Sequence, residues 1–314
     1  MKGLELSEQY FELYGSRMLQ SQFPELLPCL AAGLTGSGSE CFGFDDEVSR
    51  DHDFEPGFCL FLPDENIVDR RTAFLLERAY SKLPGEFMGL RRSLVQPVGG
   101  IRHGVIRISD FFRDKTGSPD GTLSFEDWLT LPEHYLAEAV NGKLFFDNYG
   151  KMTEIRERLK MYPDDVRRKK LAGHLLLMAQ SGQYNYLRCL QHGESAAAQM
   201  AVYEFADHAM AAAFLLSNVY RPYYKWSFRA MRALPKFSLL SDLLEFLITT
   251  DNSAAMREEK FTVIESIARE FIDELHDQGL SEAVCDDLEK HAYSVNDGVR
   301  DNVLRNMHVL AGIR

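Results

Sequence analysis

The stretch from Gly33 to Leu62, GLTGSGSECFGFDDEVSRDHDFEPGFCLFL, constrains this chain more than any other. An apolar run ends in a small, flexible turn (Gly36, Ser37, Gly38, Ser39), an acidic loop follows, and Asp51-His52-Asp53 precedes a second apolar run, Phe58 to Leu62. In extended backbone, residues i and i+2 point to the same side, so Asp51 and Asp53 would face one way. Two such carboxylates repel unless a cation lies between them, and oxygen-only ligands suit Mg²⁺. Backbone N–H groups of a glycine turn suit phosphate oxygens. Metal and phosphate cradle together are what a nucleoside triphosphate requires.

Better-known motifs fail at specific residues. A P-loop needs Lys after its second glycine, and Phe44 follows Gly43. The dinucleotide fingerprint fails because Cys41 stands at its third glycine. An EF-hand loop from Asp51 would place Pro56 and Leu62 where Gly and Glu belong. His52 alternates away from the aspartates and reads as structural.

The pattern that fits is a Gly-Ser turn, about ten residues, then Asp-x-Asp. Gly38-Ser39, eleven residues, and Asp51-His52-Asp53 resemble the nucleotidyltransferases of the polymerase-beta superfamily. With NGKLFFDNYGKMTEIRE (141–157), AQSGQYNYLR (179–188) and YRPYYKW (220–226), the chain resembles more specifically a bacterial nucleotidyltransferase-like family of unknown function, DUF4037. The resemblance implies an α/β (α+β) nucleotidyltransferase domain with a mixed sheet, then an all-α helical bundle like that of antibiotic nucleotidyltransferases. It implies Mg²⁺ on Asp51 and Asp53 and the triphosphate (ATP first) on Gly38 and Ser39; Arg50, beside them, either adds a phosphate contact or is a surface residue. A third carboxylate is expected on a neighbouring strand; GVIRI offers Arg107 there, leaving Asp110 and Asp147 as substitutes, with Asp147 preferred for its place in NGKLFFD. Pro56-Gly57 departs from the pattern by interrupting the chain just after Asp53.

Periodicity places strands at Leu30–Thr35, Phe58–Leu62, Gly104–Ile108 and Leu144–Phe146, with helices over 7–22 (capped by Ser7) and 65–82. After about residue 150 the texture becomes helical: Pro163-Asp164-Asp165 opens a run to Gln180, and 195–217, 257–277 and 281–308 follow. The expected domains are 1–150 and 151–314.

A second constellation lies downstream. Acids make up 47 of 314 residues, which would put about five in a window of 34, yet none falls between Asp207 and Asp242. Arg221, Lys225, Arg229 and Arg232 step through that window by four, four and three, one face of a helix. The stripe is either a phosphate site, with Arg221 among its contacts, or a solvated, salt-bridged face; the family resemblance assigns Lys225 of it to the triphosphate, and Tyr223, Tyr224 and Trp226 line a pocket or pack as core. Gln180, Gln183, Tyr184 and Asn185 either face a cleft or join two helices.

Net charge −12 argues against a general nucleic-acid binder. Five scattered cysteines without a C-x-x-C pair, and no long apolar run, fit a cytoplasmic protein without membrane contact. The expected function is transfer of a nucleoside monophosphate to a hydroxyl of a small-molecule acceptor. The alternatives are a protein- or RNA-modifying transferase and a degenerate, non-catalytic nucleotide-binding module.

Overall fold

A computed structural model describes residues 1–48, 55–92 and 103–313. The chain divides into two compact units: Met1–Thr122 with His134–Lys160, and Leu123–Glu133 with Met161–Arg314. The first is α+β and the second is all-helical.

Unit 1 is built on a mixed four-stranded sheet. Its strands are β1 (Ala31–Leu34), β2 (Cys59–Leu62), β5 (Gly104–Arg107) and β6 (Lys143–Asp147), in the order β5-β2-β1-β6. A small hairpin supplies β3 (Glu86–Phe87) and β4 (Leu90–Arg91). β1 runs antiparallel to both β2 and β6, whereas β2 and β5 are parallel. All residues of β1 and β2 are buried, as continuous apolar runs covered on both faces should be. Period-2 alternation sends Leu60 and Leu62 into a cluster with Tyr10, Phe11, Met18 and Leu76, while Phe61 meets Phe111 edge-on at 5.4 Å.

The first helix is longer than its apolar stripe predicts. Helix α1 (Gly3–Tyr10) passes through a π-helical turn, Phe11–Gly15, into α2 (Ser16–Gln22). The bulge falls where the helix presses on the sheet: a Cβ on Gly15 would stand 2.4 Å from the Phe58 ring. Ser7 is not a cap but a buried residue whose hydroxyl donates to Gly57 O at 2.6 Å. The N-terminus is capped instead by Asp45, whose Oδ2 accepts from Gly3 N at 3.0 Å. Helix α3 (Arg70–Ser81) begins at Asp69, which accepts from Thr72 N at 2.7 Å. It delivers the buried Tyr80, whose hydroxyl accepts from Phe58 N and donates to Phe58 O, fixing the entry to β2. Helix α4 (Ile108–Thr116) follows β5 directly, and α7 (Lys151–Leu159) follows β6.

In unit 2 the long helices α8 (Asp164–Met178), α10 (Ser195–Leu216) and α13 (Arg257–Asp277) share one core with α12 (Leu240–Thr249) and α14 (Leu288–Asp297). Short helices α5 (Phe125–Thr130), α9 (Tyr186–Gln191), α11 (Tyr224–Met231) and α15 (Asn302–Asn306) complete it; α6 (Glu133–Val140) begins at Glu133 and continues in unit 1. The core admits a lysine because its three N–H groups are met. Lys260 is 0% exposed, and its Nζ donates to Gln199 Oε1, Thr250 O and Asn252 Oδ1, each at 2.9 Å. Among the described residues no helix is long and apolar enough to cross a membrane.

Candidate functional site

The sheet register brings four chain segments to one edge. Gly33 pairs with Cys59, Cys59 with Gly104, and Leu34 with Lys143. The turn leaving β1, the approach to β2, the start of β5 and the start of β6 therefore share this edge. Gly36 and Gly38 both adopt positive φ, +112° and +126°, which only glycine takes without strain. Ser39 then opens a 3₁₀ turn, Glu40–Phe42, its carbonyl accepting from Phe42 N and Phe44 N.

Asn141 fastens the turn. Its Oδ1 accepts from Gly36 N at 2.9 Å and its Nδ2 donates to Gly36 O at 2.8 Å, so one side-chain amide imitates a strand partner. Its own carbonyl accepts from Thr35 Oγ1 at 2.9 Å and from Arg156 Nη2 at 2.5 Å. Asn141→Ala would leave both Gly36 groups unmet, at about 2–3 kcal/mol. Urea denaturation should show that loss, and Asn141→Asp, which keeps the acceptor, should recover part of it; a neutral Asn141→Ala would refute the clamp.

The remaining predicted residues of unit 1 are distributed unevenly. Asp51, Asp53, His52 and Arg50 lie outside the described residues. Asp147 is the last residue of β6 and pairs with Ala31, at the end of the ladder away from the glycine turn. Its oxygens accept from Gly150 N at 2.8 Å and Thr153 N at 2.7 Å, capping α7. Register and hydrogen bonding thus give Asp147, the residue expected as third carboxylate, a capping position at the start of α7. Arg107 and Asp110 also belong to the far end. Arg107 donates to Pro63 O and Val68 O, and Asp110 pairs with Arg113 at 2.7 Å.

At the turn edge itself stand two acids that pattern-reading passed over. Glu40 is 7% exposed, beside Gly38. Glu55 Oε1 lies 3.4 Å from Nδ1 of His103, the residue before β5. The signal for Glu55 was in the sequence, because DHDFE puts a third acid at the same two-residue step as Asp51 and Asp53.

In unit 2 the basic stripe separates into different roles. Arg221 precedes α11; its Nη2 binds Asp207 Oδ1 at 2.6 Å and its Nε donates to Ser227 Oγ at 3.1 Å. The guanidinium fork of Arg221, expected as a nucleotide ligand, ties α10 to α11. Arg232 pairs with Glu245 at 3.0 Å. Lys225 is exposed, its ammonium 5.0 Å from the Trp226 ring, with the Arg229 guanidinium 5.1 Å from the same ring. Tyr223 and Tyr224 are exposed, at 47% and 70%, not core.

Gln180, Gln183, Tyr184 and Asn185 lie on a π-helical segment, Ala179–Asn185, that joins α8 to α9. A Cβ on Gly182 there would stand 2.3 Å from Phe205. Gln183 binds Glu265, Asp286 O and Leu288 N, tying the segment to α13 and the start of α14. The segment lines a cavity of about 690 Å³ with Asp286, Asp287 and Glu289. Those acids sit at the N-terminus of α14, where Asp287 caps Glu289 N and negative charge is favoured by the helix dipole.

Among the described residues no group of three or more His, Cys, Asp or Glu is gathered to hold a metal ion. The donors expected for Mg²⁺, Asp51 and Asp53, are hard oxygen ligands of the kind that ion takes.

Comparison with known proteins finds a family and a solved structure to which the chain is similar. Residues 128–227 match the family described as Domain of unknown function (DUF4037). The crystal structure of a nucleotidyltransferase-like protein from Exiguobacterium sibiricum 255-15 is similar with TM-score 0.36 and 10% identity, over 90% of this chain and 80% of that one. No curated protein sequence matches significantly. Asn141, Arg156, Gln183, Arg221 and Lys225 all fall within residues 128–227, the segment that matches the DUF4037 family.

Proposed function

We propose that the chain is a Mg²⁺-dependent nucleotidyltransferase. An acceptor hydroxyl oxygen bonds to the α-phosphorus of ATP or another nucleoside triphosphate as its O–H proton is released to solvent, the bond to the β-phosphate oxygen breaks, and pyrophosphate leaves. The observation that carries the reading is the sheet edge. A glycine turn held open by Asn141 shares that edge with the approach to β2, the strand that Asp51 and Asp53 precede in sequence.

Gly38 and Ser39 would offer backbone N–H groups to the phosphates. Asp51 and Asp53 would hold Mg²⁺, with Glu55 as third carboxylate in place of Asp147; the ion would neutralise charge on the phosphates. Arg50 is assigned a phosphate contact by its place beside Asp51. From unit 2 the reading takes Lys225 as the cation for the leaving pyrophosphate, since Arg221 and Arg232 are engaged by acids. The acceptor is a small molecule in this reading; the net charge of −12 weighs against RNA.

Incubation with α-labelled ATP, Mg²⁺ and a panel of hydroxyl acceptors tests the proposal through label transfer and pyrophosphate release. Lys225→Ala is expected to raise KM for the triphosphate about 10-fold, the worth of one charge-assisted contact. The capping role of Asp147 favours a second reading, a nucleotide-binding module without transfer. That reading would be supported if ATP raises Tm while no pyrophosphate appears with any acceptor.

A further inference from the structure

Unit 2 contains a buried polar cluster that the nucleotidyl chemistry does not use. Glu133 ends the 123–133 segment that packs with this unit, and its Oε1 is shut from solvent without a hydrogen-bond partner. The phenolic oxygen of Tyr162 is in the same condition. A buried polar atom without a partner bears its full desolvation cost, so a folded chain that keeps two together is holding them for a reason. Trp128, Glu133, Tyr162, Lys170, His174, His208, Tyr220 and Arg221 all lie within the segment matched to DUF4037.

The groups around Glu133 come from several elements. Lys170, on α8 and 6% exposed, places its Nζ 3.4 Å from both Leu129 O and Gly312 O and 5.6 Å from the Tyr162 ring. The backbone N–H of Arg221 donates to the Glu133 carboxyl, while its guanidinium is turned to Asp207. The Tyr162 ring lies edge-on to Tyr220 at 5.0 Å and to Trp128 at 5.6 Å, and the charge of Glu133 acts on both phenols. Beyond them His174 of α8 and His208 of α10 meet through Nδ1 atoms 3.1 Å apart, within the field of Lys170 and Arg221.

We infer that Glu133 is a proton-binding site that clasps the 123–133 segment onto the helical unit, docked when the carboxyl is protonated and loosened when it ionises. Protonation removes a buried charge that Lys170 and the Arg221 N–H only partly offset, and it supplies an O–H donor beside an unpartnered phenol. Burial pushes the Glu133 carboxyl up to about 7, against the opposing pull of Lys170 and Arg221. A carboxyl raised on folding contributes stability fully present below its free-chain range near 4.5 and lost as pH rises through about 7. The His174–His208 pair works oppositely: burial holds both rings below the ordinary range, so charging them weakens the unit as pH falls. The clasp closes between these limits.

Trp128, 5% exposed against Tyr162, is a built-in reporter. In a Trp226→Phe background of the full chain, Trp128 emission should shift to the red between pH 6 and 8, and Glu133→Gln should abolish that transition while the helical circular dichroism persists. Lys170→Met removes a cation that lowers the carboxyl's affinity for protons, so its midpoint should move to higher pH. The inference is overturned if the transition persists in Glu133→Gln, if no transition occurs in the parent, or if Lys170→Met leaves the midpoint in place or lowers it. Should Glu133→Gln fail to fold, the direction of the Lys170→Met shift decides.

Discussion

Asp53→Asn is expected to lower pyrophosphate release from a nucleoside triphosphate by about 10²–10³-fold or more, the usual cost of deleting one electrostatic contributor to a transition state. Asparagine keeps the size of the side chain and one oxygen but removes the negative charge that draws a divalent cation. Asp51→Asn should act similarly, and the double variant should lose little beyond either single, because two carboxylates serving one ion act as a unit. Asp147→Asn supplies the contrast. Both Asp147 oxygens cap α7, so that change should cost about 1 kcal/mol of stability and leave kcat near that of the parent. Steady-state assays with thermal melts of all four proteins separate the cases. Release that survives in Asp53→Asn would dispose of the metal assignment, and a collapse of kcat in Asp147→Asn at unchanged Tm would return that residue to the site. Glu55→Gln belongs in the same series, with a large loss of kcat expected of a third ligand.

How far the sequence discloses such roles depends on the distance over which they are set. β1 and β2 were readable because four-residue apolar runs bounded by turn residues have few other solutions. The placing of Asp147 at the end of β6 away from the turn was not readable, because it follows from register, and its pairing with Ala31 joins residues more than a hundred apart. Ser7 resembled a cap by type and position, yet its acceptor, Gly57 O, lies 50 residues on. The acid-free window was real, but its borders hid its neutralisation. Asp207 marks one border and binds Arg221, and Glu245, just past the other, binds Arg232. Glu133, His174 and Lys260 read as ordinary polar residues along the chain, since burial of a single side chain leaves no mark on periodicity. The π-helical turns at Phe11–Gly15 and Ala179–Asn185 add one residue to a turn and shift the apolar stripe only slightly.

The largest effect on folding is expected at Gly142, between the clamp residue Asn141 and the first residue of β6. Its φ is +67°, and a Cβ there would stand 2.1 Å from Leu34 O and 2.9 Å from Thr35 Cα. Both obstacles are backbone of the strand that feeds the glycine turn, so neither can swing aside as a side-chain tip would. Its N–H also donates to Cys41 O at 2.9 Å, tying β6 to the 3₁₀ turn after Ser39. Gly142→Ala must therefore either break this hydrogen bond or push β1 from β6, at about 4 kcal/mol or more. Gly150→Ala is the matched control. Its φ is +76° and nothing lies within 4 Å of an added Cβ, so it meets only left-handed strain, about 1–2 kcal/mol. Urea denaturation of the two variants isolates the overlap as the difference between them. Equal losses would mean that the Gly142 contact relaxes freely, and that the turn edge is softer than the Asn141 clamp implies. A large excess at Gly142, with ATP no longer raising the Tm of whatever folds, would tie the packing of β6 against β1 to the geometry of the proposed phosphate site.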